Sequence, residues 1–381
     1  MKKLLASLAA CLLLAASPSP PPHWTLPQAQ RLVEWLSSAA DDGLSPVSID
    51  TAGVKAAIAA GESNALDTSA TAAAIRLLTA YRQGCCNASL RSGWHIAVAP
   101  AWPDAADAVN AAVASNQLDR MFGTTRPSHP FYYSLRMAYA QEHDPARRAT
   151  LAANLDRWRW MPRALDGRYL LVNTAAFEAS LWDGRNMIGR WQVVVGKTKS
   201  PTPIFAARMT GVIFNPWWEI PPAIAAEGIA AMVRTRPAEA AQKGYVFQNG
   251  RYRQRPGATN ALGRMKLVMP NGFNVFLHDT PSQHLFAQDV RAYSHGCVRV
   301  GDALGLATTL LSAQPQWDRS RVDAAVASGR TQQVALAKPI PVYVAYFTAE
   351  PDGNGGVRYF PDIYHRDRGA SAADDNGRCT R

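Results

Sequence analysis

The hydrophobic periodicity of the chain changes near residue 167, and this change constrains the fold more than any other feature. Before it, an Ala-rich segment has helical spacing, and Leu32 and Leu36 share one face of a helix predicted over residues 28–40. After it, residues 168–173 alternate with the period of two that is typical of strands. The 381 residues leave room for two domains. The sequence therefore predicts an α+β chain, helical first and strand-rich afterwards.

Capping and turn residues set the expected boundaries of these elements. Helix starts are predicted at Asp67 with Thr68, at Pro103 with Asp104, and at Asp144 with Pro145. Further helices are predicted over residues 221–241, 303–312 and 318–327, and further strands over residues 177–182, 192–195, 210–214, 341–347 and 357–363. Asn271-Gly272 predicts a tight hairpin joining strands over residues 266–269 and 273–277.

The N-terminus indicates export. Lys2 and Lys3 precede an apolar run over residues 4–16, which is too short to span a bilayer and is typical of a signal peptide. Cys11 follows Leu8-Ala9-Ala10, which leaves lipidation at Cys11 as an alternative. No other segment approaches the ~20 apolar residues of a membrane span. The net charge of +11 fits a polyanion, and export together with scattered basic residues favours an anionic cell envelope over nucleic acid.

Residues with catalytic potential concentrate between His278 and Arg299. A cysteine becomes a strong nucleophile when an imidazole takes its proton, and Cys297 with His278 supplies that pair. Gly296 would let the backbone aim amides at a developing oxyanion. Cys297 precedes the helix predicted from residue 303, whose dipole would favour a thiolate. A buried, inert cysteine is the alternative that spacing alone leaves open.

The sequence gives weaker evidence for a metal site or a disulfide. His278, His284, His295 and Cys297 could ligate zinc, but their spacing is not a usual zinc pattern, and we expect neither metal nor cofactor. The other cysteines are Cys11, Cys85, Cys86 and Cys379. Export permits one of the adjacent pair to bridge to Cys379, and nothing in the sequence requires it.

Several motifs together resemble the L,D-transpeptidases with a YkuD-type catalytic domain. Ser294-His295-Gly296-Cys297-Val298-Arg299 resembles the family signature, and His278 falls where the family has its upstream histidine. The motifs at residues 154–162, 214–222, 256–263 and 277–281 are similar to those of the long, YcbB-like subgroup.

The resemblance implies a helical scaffold followed by a mixed, β-sandwich-like catalytic domain with a helical capping insertion. The implied boundaries are a signal peptide over residues 1–17, a scaffold domain over 18–127, connecting helices over 128–165, a catalytic domain over 166–365 with the capping insertion at about 221–257, and a polar tail over 366–381. One helix leads from Phe131 to Asn154, which leaves no space for the subgroup's peptidoglycan-binding module.

The resemblance also implies residue roles. Cys297 is the nucleophile and His278 the general base, and we expect a backbone carbonyl near Ser294 to orient the base. Gly296 and the amide of Cys297 are the implied oxyanion donors. Residues implied to bind substrate are Arg299, Trp218 and Asn215. Bracing of the loop is the open alternative for Arg299, and core packing is the open alternative for Trp218. His295 is the competing candidate for the base.

The implied activity is peptidoglycan crosslinking in the periplasm. Tetrapeptide stems would serve as donor and acceptor, with release of D-Ala and formation of a 3→3 crosslink, and carbapenems would act as inhibitors. Hydrolysis of the stem and attachment of a lipoprotein lysine use the same acyl-enzyme and stay open. The capping insertion carries Arg234, Arg236, Arg251, Arg253 and Arg255, which suit either a solvated surface or a lid over an anionic peptide.

Overall fold

The N-terminal part is helical, as predicted. The computed structural model describes residues 21–44, 51–84, 91–97, 102–163, 165 and 167–367. Its first helices are α1 (Leu26–Ser38), α2 (Ala52–Ala59), α3 (Asn64–Gln83), α4 (Ala105–Ala114), α5 (Leu118–Thr125), α6 (Pro130–Gln141) and α7 (Pro145–Arg159). The signal segment and Cys11, Cys85, Cys86 and Cys379 lie outside the described residues, so the predictions made for them are not tested.

Side-chain caps define two of the predicted helix starts. The carboxylate of Asp104 accepts a hydrogen bond from the amide of Ala106 at 2.7 Å, and that of Asp144 accepts one from the amide of Arg147 at 2.8 Å. The cap predicted at Asp67 is wrong, because Ser63 caps α3 instead. Asp67 is buried and accepts from the amide of Trp24 at 2.7 Å, so its carboxylate ties the chain ahead of α1 to α3.

A buried carboxylate joins the helices of the scaffold. Asp42 closes a 3₁₀ turn (Ala39–Asp42) after α1 and is fully buried. Its oxygens accept hydrogen bonds from the hydroxyls of Tyr81 at 3.0 Å and Tyr132 at 2.7 Å, and from the guanidinium of Arg126 at 2.8 Å. Because a buried charge is tolerated only when it is compensated, this cluster fixes α3, α5 and α6 relative to α1.

We expect Asp42→Asn to lower the free energy of unfolding by about 3–5 kcal/mol, since it leaves buried guanidinium groups without their anion. The matched control is Asp41→Asn, whose side chain is 46% exposed and pairs with Arg136 at 2.9 Å. Removing this pair should cost ~1 kcal/mol or less, because Asp41 is half-exposed and Arg136 keeps its contact with Asp42 at 3.2 Å. Urea unfolding of both variants tests the difference, and equal losses would contradict it.

The C-terminal part is built on a mixed sheet. The strands of the chain are β1 (Trp94–His95), β2 (Arg168–Asn173), β3 (Glu178–Asp183), β4 (Asn186–Gly196), β5 (Ile204–Phe214), β6 (Trp218–Glu219), β7 (Tyr245–Gln248), β8 (Arg251–Gln254), β9 (Met265–Val268), β10 (Leu277–His278), β11 (Ala292–Ser294), β12 (Val298–Val300), β13 (Gln332–Ala345), β14 (Ala349–Pro351) and β15 (Val357–Tyr359). The later helices are α8 (Pro222–Ile224), α9 (Ala230–Thr235), α10 (Pro237–Gln242), α11 (Ala303–Leu311) and α12 (Arg319–Ala327).

The main sheet closes on itself. Its strands follow the order β5, β13, β2, β3, β4, β12, β10, β9, and β9 also pairs with β5. The enclosed core contains apolar side chains of β9, β10 and β12 together with α11 and α12, among them Leu267, Leu277, Val298 and Leu310. The predicted combination of a helical part with a sandwich-like mixed sheet is therefore confirmed.

The hairpin predicted at Asn271-Gly272 has a longer loop than expected. β9 and β10 pair antiparallel, with His278 opposite Lys266, but the strands do not extend to the turn. The Asn271 side chain donates to the carbonyls of Met269 and Val275 at 2.7 and 2.8 Å, so it organises the whole loop rather than a two-residue turn.

Helix α7 joins the helical part to the sheet. Trp158 is buried and stacks on Phe347, with ring centroids 4.6 Å apart. The side-chain amide of Asn154 donates a hydrogen bond to the hydroxyl of Thr348 at 2.9 Å. Trp158 and Asn154 of α7 therefore pack the junction between the helical part and the sheet. In the part of the chain that the structure describes, no helix is both long and apolar enough to cross a membrane.

Candidate active site

The pairing of three strands brings the predicted catalytic residues to one face of the sheet. β10 and β12 are parallel, with His278 opposite Arg299, and His278 also lies opposite Lys266 of β9. Paired residues share a face, and Cys297 shares it because it lies two positions before Arg299. We call Lys266, His278, Cys297 and Arg299 the cysteine face; Leu277 and Val298 point to the opposite side and are buried in the core.

The imidazole of His278 is oriented by the backbone of the next residue. Its Nδ1 lies 2.5 Å from the carbonyl oxygen of Asp279, so Nδ1 carries the proton and Nε2 is the free base. The expectation of an orienting carbonyl near Ser294 is therefore wrong. Burial lowers the pKa of His278 to about 4, so the ring is neutral at ordinary pH.

Asp279 supports that arrangement, and sequence analysis gave it no role. Its buried carboxylate accepts hydrogen bonds from the amide and the Nε of Arg264, both at 2.8 Å. A Cβ on Gly263 would lie 2.6 Å from the Asp279 side chain, so this position accepts only glycine. The motif around Gly263 quoted for the family resemblance thus contributes packing beneath His278.

Two hydroxyl groups fix the loop that carries Cys297. The Ser294 hydroxyl donates to the carbonyl of Cys297 and accepts from the amide of Gly296 at 3.0 Å. The Thr202 hydroxyl donates to the carbonyl of Gly296 at 2.9 Å. Gly296 has φ = 118°, a backbone angle that residues with a side chain rarely adopt. Since the Gly296 amide is already bonded, it is unavailable as an oxyanion donor, and the Cys297 amide stays the predicted one.

Cys297 is a thiol in the resting site rather than a preformed thiolate. It is half-buried and directly precedes β12, whereas α11 begins only at Ala303, so the predicted position at a helix N-terminus is wrong. Burial raises the pKa of Cys297, and this effect outweighs a backbone hydrogen bond from Phe276 and the nearby cationic charges, which lower it.

Those charges belong to Lys266 and Arg299 of the cysteine face. The Lys266 ammonium also lies 3.7 Å from the ring centroid of Phe276. Both cations favour a negative charge close to Cys297, which could be the thiolate during reaction or the carboxylate of a substrate. Sequence analysis missed Lys266, because its facing position depends on the register of β9 against β10.

The structure also describes the other two residues implied to bind substrate, Asn215 and Trp218. The side-chain amide of Asn215 donates to the backbone carbonyls of Ala325, Val326 and Arg330 at 3.0 to 3.2 Å. We therefore assign Asn215 a structural role, which is to hold the end of β5 against α12, instead of substrate binding. Trp218 is half-buried in β6, where it pairs with Gln254 of β8. Its substrate role stays a prediction.

His295 faces the capping insertion rather than Cys297. Its Nε2 lies 3.1 Å from a carboxylate oxygen of Glu227 and 3.2 Å from the ammonium of Lys197. Its side chain is 37% exposed, in contrast to buried His278. Among the described residues, no three His, Cys, Asp or Glu side chains are grouped to hold a metal ion, which gives the zinc alternative no support.

Comparison with known families agrees with this geometry. Residues 167–334 match the family model of the L,D-transpeptidase catalytic domain, YkuD. Residues 19–138 match the model of a scaffold domain. The chain carries an L,D-transpeptidase catalytic domain. The family resemblance seen in the sequence is therefore confirmed.

Individual relatives match this chain over part of their length. A Haemophilus influenzae protein named as a candidate L,D-transpeptidase is 29% identical over 246 residues, which are 59% of this chain and 50% of the relative. The chain thus spans about half the length of that relative. Among solved structures, the avibactam carbamoyl enzyme of Ldtfm has a TM-score of 0.27 at 13% identity, with 49% of this chain and 51% of that chain covered. LdtMt1 in complex with imipenem has a TM-score of 0.26 at 12% identity, with coverage of 47% and 59%.

We expect alkylation of Cys297 in the L,D-transpeptidase domain to accelerate continuously from about pH 6 to about pH 9, because the reactive thiolate forms only as the raised pKa is approached. Iodoacetamide labelling followed by peptide mass spectrometry separates Cys297 from the other cysteines. His278 titrates near pH 4 and is neutral across this range. A rate plateau at the acidic end would indicate a thiolate–imidazolium pair and contradict this expectation.

Proposed function

We propose that the protein is an exported peptidoglycan L,D-transpeptidase that uses Cys297 as its nucleophile. The observation that carries the proposal is that Cys297 directly precedes β12 and His278 lies in the adjacent parallel strand β10, with Nδ1 of His278 held by the Asp279 carbonyl. This arrangement leaves Nε2 of His278 as the ring nitrogen that can act as a base. The matched family model supports the same reaction class.

In the first half-reaction, Nε2 of His278 takes the thiol proton as the Cys297 sulfur attacks the carbonyl carbon of the diaminopimelate–D-Ala bond. The tetrahedral oxyanion would be stabilised by the Cys297 amide and by the charges of Lys266 and Arg299. The C–N bond then breaks, the imidazolium returns its proton to the departing D-Ala nitrogen, and a thioester remains. A neutral pair suits these steps, because one group donates a proton and the other accepts it.

In the second half-reaction, the side-chain amine of another stem attacks the thioester carbonyl. His278 takes a proton from that amine and delivers it to the leaving sulfur, which restores the thiol. The product is a 3→3 crosslink between two stems. If water attacks instead, the product is a trimmed stem, and if a lipoprotein lysine attacks, the lipoprotein becomes attached to the wall.

The proposed setting is the cell envelope. The basic charge of +11 suits an anionic polymer, and the signal-like N-terminus suits export to the periplasm. The Arg253 side chain of the capping insertion is held by Glu219 at 2.6 Å and lies 4.4 Å from the ring centroid of Trp217. These contacts support a capping insertion that presents its charge from fixed positions beside the site.

Incubation with purified tetrapeptide muropeptides tests the reaction directly. We expect mass spectrometry to detect D-Ala release and a 3→3 dimer, because the thioester is captured by a second stem. Cys297→Ala should abolish both products, while Cys297→Ser should retain the fold and lose most of the rate. Trimmed monomers without dimers would instead identify a carboxypeptidase, and full product formation by Cys297→Ala would refute the nucleophile.

We expect the two histidines to differ in the acylation step. Imipenem should acylate Cys297, and His278→Ala should slow this acylation about 10²–10⁴-fold, the usual contribution of a general base. His295→Ala should have a much smaller effect because His295 faces Glu227 and Lys197. The time course of the adduct on intact protein measures both rates, and the opposite ranking would exchange the two roles.

A further inference from the structure

Three charged or titratable groups form a cluster on the rim beside Cys297, outside the machinery described above. They are Lys197, which follows β4, Glu227 of the capping insertion, and His295 of the cysteine loop. Building on the proposed function, we propose that this cluster binds the acceptor, namely the zwitterionic amino-acid end of diaminopimelate in the second stem. Glu227 would bind the ammonium and Lys197 the carboxylate, and the ammonium loses one proton to solvent before the neutral amine attacks the thioester.

His295 cannot hydrogen-bond to Glu227 and Lys197 through the same ring nitrogen at the same time. The Nε2 of His295 lies 3.1 Å from a carboxylate oxygen of Glu227 and 3.2 Å from the ammonium of Lys197. A neutral imidazole nitrogen either donates one hydrogen bond or accepts one, and it cannot do both. One of the two charged partners is therefore left without this bond in either tautomer, and it can exchange the histidine for a ligand at little cost.

The backbone holds the cationic side of the cluster next to the nucleophile. The amide of Lys197 donates to the carbonyl of Ser294 at 2.9 Å, and Ser294 also anchors the Cys297 carbonyl. His295 is separated from Cys297 by a single residue, Gly296. A ligand bound between Lys197 and Glu227 is consequently positioned by the loop that carries the reacting sulfur.

The anionic side comes from an irregular part of the capping insertion. Glu227 lies in a π-helical turn (Ala225–Ile229) that links α8 to α9, and Gly228 beside it has φ = 131°, outside the helical region. Such turns inside helices frequently occur at functional sites. The Glu227 side chain is 54% exposed, so its carboxylate is accessible to a ligand from solvent.

The two groups of charges near Cys297 differ in a way that matches the two substrates. Lys266 and Arg299 are cations within the cysteine face and suit the carboxylates of a donor stem. Glu227 with Lys197 presents one negative and one positive group and suits an acceptor that carries both charges. A lipoprotein lysine side chain or water lacks the matching pair, so this cluster favours a diaminopimelate acceptor.

The test measures how the acyl-enzyme divides between transfer and hydrolysis. The donor is a tetrapeptide whose free diaminopimelate amine is acetylated, so that it cannot act as acceptor. Added acceptors are free diaminopimelate and 1,5-diaminopentane, which has the amines without the carboxylates. We expect wild-type protein to prefer diaminopimelate. The ratio of transfer to hydrolysis is independent of how fast each variant is acylated.

Two substitutions should separate the two halves of the cluster. Glu227→Gln should lower transfer to both amines about tenfold or more relative to hydrolysis, the effect of losing one hydrogen bond to a charged group. Lys197→Met should lower transfer to diaminopimelate by a similar factor and abolish the preference for it over 1,5-diaminopentane. The matched controls are Glu239→Gln and Lys243→Met, which break an exposed pair at 2.8 Å within the same insertion and should keep the wild-type ratios.

The outcomes distinguish the two proposals. If Glu227→Gln and Lys197→Met behave like their controls, or if wild-type protein uses both amines equally, the acceptor site is refuted while the transpeptidase proposal stands. If wild-type protein releases no D-Ala from the donor, the proposed function fails, and the acceptor site fails with it.

Discussion

The parallel pairing of β10 with β12 is the constraint on which the rest of the candidate site depends. Each strand is only two or three residues long, yet each has one side chain in the core and the next on the cysteine face. A slip of one residue would turn Leu277 or Val298 out of the apolar core and turn His278 or Arg299 into it. Burial of apolar side chains therefore fixes the alignment of His278 with Cys297. The strand register that packs the core is the same one that places these two side chains on one face.

Contacts outside these two strands hold His278 and the cysteine loop in place. Arg264 holds Asp279, whose carbonyl holds His278, and Thr202 holds the loop on the other side of the nucleophile. None of these supports needs to contact a substrate. They place a neutral base and a neutral thiol in a site that excludes enough water to disfavour charge, and nearby cations lower the cost of forming charge during reaction.

Local signals in the sequence located many of the elements but not α2, α5 or the short strands β6, β7 and β8, and long-range contacts decided the details. Asp104 and Asp144 cap helices as predicted, because a cap involves only neighbouring residues. Asp67 did not, since its carboxylate bonds to distant Trp24. The family signature identified His278 and Cys297, but the facing position of Lys266 required a strand register. The raised thiol pKa also could not be predicted, because it follows from burial in the folded chain.

The neutral resting thiol has a consequence for the lifetime of the protein. Oxidation to sulfenic acid and exchange with disulfides both proceed through the thiolate, so their rates fall when little thiolate is present. Cys297 in its resting state is thereby shielded from peroxides and small disulfides, although it is half-exposed to them. Under the proposed mechanism, His278 would generate the thiolate at neutral pH only as the sulfur attacks a bound substrate, and the nucleophile would then persist in surroundings that supply no reductant to repair it.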